Sequence, residues 1–292
     1  MCHSNSWLFF LAFSPASRYN GTNTVNGRGG DPRRARRGGG RMAIYFTGDT
    51  HGDFRRFQPK VFQEQFSLTK QDYVIICGDF GGLWAAGPRQ EQVLDWLEER
   101  PFTTLFITGN HENYDLLEAY PREMWHGGYI QPIRPSVLHL MRGQVFELEG
   151  KKMFTMGGAA CHDIQDGVLD PEDRLFKIKK ARLDLTGGYY RVKHQSWWEQ
   201  EMPSAEEYET ARENLEKAGW SVDYMITHCA PTSIQKEVGN YTHPVNELTE
   251  FFEELAVRVR FRYWLFGHYH NNEVLHNRYI LLYNQIVQLK NP

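Results

Sequence analysis

The sequence predicts an α/β fold built on a mostly parallel sheet. Three observations predict it. Apolar runs without polar alternation recur at 43–47, 73–77 and 103–108, as strands covered on both faces require. A helical stripe of Val93, Leu94, Trp96 and Leu97 separates the second run from the third, and that order implies right-handed crossovers between parallel neighbours. Each run also ends on a polar knot: Gly48-Asp49, Gly78-Asp79 and Gly109-Asn110.

The elements follow in chain order. The strand over 43–47 leads into 54–66, where Pro59 interrupts any long helix. The strand over 73–77 is followed by a helix over 89–100, which Pro101 stops. The strand over 103–108 precedes a helix through Leu116, Leu117 and Tyr120. After Pro121 the pattern changes. Short strands at 136–140, Gln144–Leu148 and 152–156, with turns at Gly143 and Gly150-Lys151, read as antiparallel hairpins. Residues 161–203 have weak periodicity and mixed charge, which predicts a lid or rim. Ser204-Ala205-Glu206-Glu207 fits a capping box, Tyr208, Ala211 and Leu215 continue the helix, and Gly219 ends it. A strand over 222–227 ends at His228. Val245, Leu248, Phe251, Phe252, Leu255 and Val259 form another amphipathic helix. Tyr263–Phe266 ends in Gly267-His268, and 279–283 is the last strand.

Residues 1–41 are expected to stand outside this fold, as a disordered or non-native extension, with Met42 as the functional start. The stretch 20–41 is rich in Gly, Arg, Asn and Thr and buries too little apolar surface to offset ordering entropy. The apolar run 7–13 imitates a signal peptide but lacks a basic n-region. The net charge of −3 over 292 residues hides an asymmetry. Residues 1–41 hold seven arginines and one aspartate; the remaining 26 bases face 35 acids, a net charge of −9 for 42–292. So acidic a body disfavours nucleic acid as a partner, because phosphate contact needs clustered Lys and Arg. It leaves a small phosphorylated substrate open, since bound cations reverse the local field. No apolar run reaches the ~18–20 residues of a membrane helix. None of Cys2, Cys77, Cys161 and Cys229 forms a CxxC pair, which predicts reduced thiols in a cytoplasmic protein.

Ligands of α/β sheets gather outside the carboxyl ends of the strands. The residues there are Asp49, His51, Asp79, Asn110, His228, His268 and His270, all candidate metal ligands. Asp49 and His51 stand two apart, as do His268 and His270, so extended backbone would point each pair one way. One carboxylate, best assigned to Asp79, can bridge two cations. Mixed oxygen and imidazole donors suit Mn, Fe, Zn, Ni or Co better than Ca. Two such ions, ~3.5–4 Å apart in two-metal hydrolases, bring the pKa of a bound water down to about 7. His111 is the candidate catalytic group, by stabilising phosphoryl oxygens or by protonating a leaving alkoxide. Glu112 reads as a brace for its loop. His162 and Asp163 either line the substrate pocket, with Asn110, or belong to a solvated loop. Arg191 and Lys193 either meet phosphate or form a charged rim, the rim being the commoner case. Trp197-Trp198 reads as packing under the lid before it reads as a stacking platform. His126, His139, His194, His243 and His276 read as surface or structural histidines.

Taken together and in order, Gly48-Asp49-Thr50-His51-Gly52, Gly78-Asp79, Gly109-Asn110-His111-Glu112, His228 and Gly267-His268-Tyr269-His270 resemble the calcineurin-like metallophosphoesterase superfamily, over residues 42–292. The stretch from Ile76 to Trp84 is similar to uncharacterised bacterial members. The resemblance implies a sandwich of two sheets flanked by helices. It implies one metal held by Asp49, His51, Asp79 and His270, a second held by Asp79, Asn110, His228 and His268, and His111 as the catalytic histidine. Two positions depart from the pattern. Many members carry an aspartate that pairs with the catalytic histidine where this chain has Gly82. Protein phosphatases of the superfamily have a phosphate-gripping arginine where it has Leu83. His111 either lacks its usual orienting partner or borrows one such as Asp115 or Asp163.

The expected function is hydrolysis of a phosphomonoester or phosphodiester by a hydroxide bridging two metal ions. A nuclease and a metal-stabilised scaffold of the same fold are the alternatives.

Overall fold

Strand pairing follows the predicted parallel order. The computed structural model describes residues 42–238 and 244–289. β1 (Ile44–Thr47), β2 (Tyr73–Ile76) and β3 (Thr103–Phe106) lie side by side in parallel register. The sheet continues past β3 through antiparallel hairpins. β4 (Glu123–Trp125) pairs with β5 (Gly128–Arg134), which pairs with β6 (Val137–Leu140), and β6 lies parallel to β3.

The second sheet starts with the hairpin of β7 (Gln144–Leu148) and β8 (Lys151–Met156). β9 (Val168–Leu169) and β10 (Arg191–Val192) form a separate two-stranded pair. β11 (Tyr224–Thr227) and β12 (Tyr263–Phe266) extend the second sheet in parallel from β8. β13 (Glu273–Leu275) and β14 (Tyr279–Leu281) complete it, and β15 (Val287–Gln288) returns to the free side of β1. One sheet therefore has the order β15-β1-β2-β3-β6-β5-β4, the other β13-β14-β12-β11-β8-β7. The expected antiparallel hairpin holds for β7 and β8 and is corrected for the strand before them: β6 joins the first sheet, parallel to β3 and antiparallel to β5, while β7 and β8 open the second sheet. The switch falls at Gly143, whose φ of +69° turns the chain out of the first layer.

Side-chain alternation explains why the strands looked uniformly apolar. Phe46, Ile75 and Leu105 point between the sheets and meet Ile226, Leu265 and Ile280 from the other side. Tyr45, Val74, Ile76 and Phe106 point outward and are covered by Leu94 and Leu97 of α1 (Pro88–Glu98) and by Phe54, Phe57 and Phe62. The stretch 54–66 forms two short 3-10 turns, not a long helix. α2 (Tyr114–Glu118) follows the third strand, and α3 (Phe176–Thr186) lies within 161–203. Met225, Trp264 and Phe266 point out of the second sheet. There they meet α4 (Ala205–Lys217), α5 (Thr232–Gln235) and α6 (Glu247–Arg258). Ser204 caps α4 in the predicted box with Glu207. The result is the two-sheet sandwich flanked by helices.

The extension over 1–41, Cys2 and His243 lie outside the described residues. Among the described residues, no helix is long and apolar enough to cross a membrane.

Candidate metal centre

Parallel strands bring their ends to one crevice. β1, β2 and β3 deliver Asp49, Asp79 and Asn110 from one sheet, and β11 and β12 deliver His228 and His268 from the other. The glycines ahead of these residues serve close approach. A Cβ on Gly109 would stand 2.0 Å from Asp79 Oδ1, and one on Gly267 2.1 Å from Asp49 Oδ1. Left-handed backbone falls on the functional residues themselves: φ is 46° at His51, 49° at Asp79, 70° at His268 and 50° at His270. Each costs about 1–3 kcal/mol, and persists because the surrounding structure holds it. This corrects the expectation of extended spacing. The two histidines after β12 leave a left-handed turn and face different partners.

Asp49, His51, Asp79 and His270 each offer a donor atom, and these atoms lie within 4.8 Å of one another. His270 Nε2 is 3.1 Å from Asp49 Oδ2 and 3.0 Å from His51 Nε2. His51 Nε2 is 3.6 Å from Asp79 Oδ2. On its other side, Asp79 Oδ1 stands 3.4 Å from His228 Nε2. The His228 and His268 rings are 5.0 Å apart, centroid to centroid. The His268 backbone N–H donates to Asp49 Oδ1 at 2.9 Å, and the His111 N–H donates to Asp79 Oδ1 at 2.9 Å. Asp79 thus stands between the cluster of Asp49, His51 and His270 on one side and His228 on the other.

His228 Nδ1 donates to the Cys77 carbonyl at 2.9 Å, which directs Nε2 toward Asp79. Burial opposes charge on His228, but the Asp79 and Asp49 carboxylates outweigh it and push its pKa up to about 9. Burial likewise opposes charge on Asp79, while His228, His111 and His51 hold its carboxyl well below the usual carboxylate range. Among buried side-chain atoms, Asn110 Oδ1, Asn110 Nδ2 and His228 Nε2 have no hydrogen-bond partner. Buried polar atoms are ordinarily paired. An amide oxygen and an imidazole nitrogen without partners, beside a buried carboxylate, are the donor set of a transition-metal cation once the imidazole gives up its proton. The residues present fit such ions.

A neighbouring arginine supports the first strand end. Arg56 donates to Thr47 Oγ1 at 2.7 Å, to the Asp49 carbonyl at 2.6 Å, and to the carbonyls of Gly48 and Tyr283. Sequence reasoning missed it. Arg55, one residue earlier, is an exposed partner of Asp53, and no pattern separates the two.

The family model for calcineurin-like phosphoesterases matches residues 42–272. The chain belongs to the calcineurin-like phosphoesterase family. No curated protein matches it. Family membership and the Asp49, His51, Asp79 and His270 cluster support metal-dependent phosphoester hydrolysis.

This calcineurin-like phosphoesterase explains its own departures from the pattern. A Cβ on Gly82 would stand 2.4 Å from the Phe80 ring, which stacks on Phe106 at 4.0 Å. The phenylalanine occupies the room an aspartate would need. Leu83 is buried in the same outer core. Neither proposed substitute orients His111. Asp115 accepts from His194 and from Trp198 Nε1, and Asp163 accepts from Arg191 Nη2 at 2.6 Å. Among the described residues, no carboxylate hydrogen-bonds to the His111 ring. That ring lies 5.4 Å from the His51 ring. Burial lowers its pKa to about 4, against the pull of Asp79.

Glu112 accepts from the Phe80 N–H at 2.6 Å and the Gly81 N–H at 3.3 Å, so it braces the Asp79 turn. The His162 ring is 5.6 Å from the His268 ring, and Asp163 Oδ1 is 3.9 Å from His162 Nε2. Trp198 is buried and packs edge-on against Trp84. The remaining described histidines stand apart from the centre. His194 pairs with Asp115, His276 pairs with Glu237, and His126 packs on Trp125. His139 Nδ1 is 2.8 Å from Gln131 Oε1.

Proposed function

We propose that the chain hydrolyses a phosphomonoester or phosphodiester through a hydroxide held between two divalent metal ions. One ion would be held by Asp49, His51, Asp79 and His270, the other by Asp79, Asn110, His228 and His268. Mn, Fe, Zn, Ni and Co match these donors. When bound, the ions supply an activated water and neutralise phosphoryl charge. The observation that carries the proposal is the division of the Asp79 carboxylate, with Oδ2 toward His51 and Oδ1 toward His228.

The chain's own residues do the rest. Arg56 and Glu112 fix the turns that present Asp49 and Asp79. Asn110, His162 and Asp163 are assigned to the substrate side, and residues 161–203 to a lid or rim over it. His111 meets the phosphoryl group. The substrate is proposed to be a small phosphorylated molecule. The acidic body argues against nucleic acid. The described cysteines are free thiols, which supports a cytoplasmic location.

The test is metal reconstitution, with elemental analysis, followed by assays on p-nitrophenyl phosphate, bis-p-nitrophenyl phosphate and an oligonucleotide. Turnover of either small ester, lost with metal in Asp79→Asn, is expected. Oligonucleotide cleavage alone would make the protein a nuclease. Full metal loading without turnover of any substrate would make it a scaffold.

A further inference from the structure

The rim of the crevice carries a cation that the motif positions do not account for. Arg191 sits at the start of β10, and its side chain is only 12% exposed. Its Nη2 donates to Asp163 Oδ2 at 2.6 Å. Its Nε and Nη1 have no protein acceptor among the described residues. Asp163 adjoins His162, whose ring touches the metal-ligand candidate His268 at 5.6 Å. A half-satisfied guanidinium therefore stands, through Asp163 and His162, next to the metal-ligand candidate His268. Leu83, packed into the outer core, cannot supply that charge.

Guanidinium groups held by a carboxylate keep a rigid fork of N–H donors suited to phosphate oxygens. Phosphate esters differ in what they offer it. A monoester has three terminal oxygens, a diester only two. If the metal centre takes two, only a monoester keeps a third for a cation on the rim. We propose that Arg191, braced by Asp163, grips the third terminal oxygen of the substrate phosphoryl group and biases the site toward phosphomonoesters. This rests on the metallophosphoesterase function proposed above.

The test compares the Mn-loaded wild type with Arg191→Met and Arg191→Lys, after confirming equal metal content and circular dichroism. Loss of one charge-assisted contact should lower kcat/KM for p-nitrophenyl phosphate about 10–100-fold in Arg191→Met. The fall for bis-p-nitrophenyl phosphate should be at least tenfold smaller, and Arg191→Lys should recover part of the difference. Equal falls for both esters, or none, would overturn the proposal. Orthophosphate binding by calorimetry reads the same contact without turnover. It should weaken at least tenfold in Arg191→Met, and equal affinity would overturn the assignment even if neither ester is hydrolysed. Absence of hydrolysis by the wild type would instead count against the proposed function. Should Arg191→Met misfold, Asp163→Asn keeps an acceptor oxygen for Arg191 and removes its neutralising charge. It should tighten orthophosphate binding several-fold, and weaker binding would contradict the proposed role.

Discussion

His228 Nε2 and Asp79 Oδ1 stand 3.4 Å apart, both buried, at the point where the two sheets meet. Without a cation, this contact is an ion pair, since His228 is pushed up to about 9 and Asp79 is held low. A metal ion held by His228, as proposed, would have to displace its proton.

Two consequences can be measured. A group whose folded pKa lies above its ordinary 6.5 stabilises the fold fully below pH 6.5 and loses that contribution as pH rises through about 9. The melting temperature of EDTA-treated protein should therefore fall between pH 6.5 and 9.5, and Mn should suppress the fall. Metal affinity should rise over the same interval. A flat apo profile would mean that His228 is neutral without metal.

Gly109→Ala tests close approach. The new Cβ would meet Asp79 Oδ1 at 2.0 Å and His228 Nε2 at 2.7 Å. Both side chains are buried, Asp79 Oδ1 accepting from the His111 N–H and His228 Nδ1 donating to the Cys77 carbonyl, so the loop must move. Overpacking costs about 1–3 kcal/mol, and urea unfolding should show a loss of that size. Metal content should fall with it. Alanine at Gly150, where an added Cβ has nothing within 4 Å but φ is +67°, serves as the comparison that carries backbone strain without a clash.

Much of this arrangement was legible before any coordinates. Strands covered on both faces must be apolar throughout, so Tyr45 and Phe46 or Val74 and Ile75 showed themselves although they point opposite ways. The polar knots were visible because they interrupt those runs. Other features left no such trace. α3 has no buried residue, so its sequence holds no apolar period to read. β10 is two residues long, and β13 only three, with Leu275 alone buried. The left-handed turns at His51, His268 and His270 occur at residue types that do not advertise them. They decide which ring faces which carboxylate. Phe80 blocking position 82 is a packing fact that spacing cannot convey.

Arg56→Met should separate positioning from charge. The substitution keeps the apolar stem and removes donors from Thr47 Oγ1 and from the carbonyls of Gly48, Asp49 and Tyr283. Leaving such groups unpaired costs about 1–3 kcal/mol. Stability should drop by that amount in urea titration, and Mn affinity should weaken because the Asp49 turn loosens. Arg56→Lys should recover part of both. Unchanged metal affinity in Arg56→Met would confine the arginine to fold stability.

His111→Ala bears on how the reaction ends. Among the described residues the side chain makes no hydrogen bond to a carboxylate, and it is the backbone N–H that donates to Asp79. Alanine should therefore spare metal content while lowering kcat about 10²–10⁴-fold, the range for loss of a positioned catalytic group. The pH profile distinguishes the two roles open to the ring. A histidine acting as general acid with an ordinary pKa would lose rate as pH rises above 6.5. Here burial lowers the pKa to about 4, and the opposing pull of Asp79 would be weakened by bound cations. The ring is then neutral in the free enzyme at pH 7, and in the proposed reaction it would serve as a hydrogen-bond donor to a phosphoryl oxygen. No alkaline limb near pH 6.5 should appear in kcat/KM for p-nitrophenyl phosphate. Such a limb, absent from His111→Ala, would restore the general-acid role and show that the loaded site reverses the pull of burial.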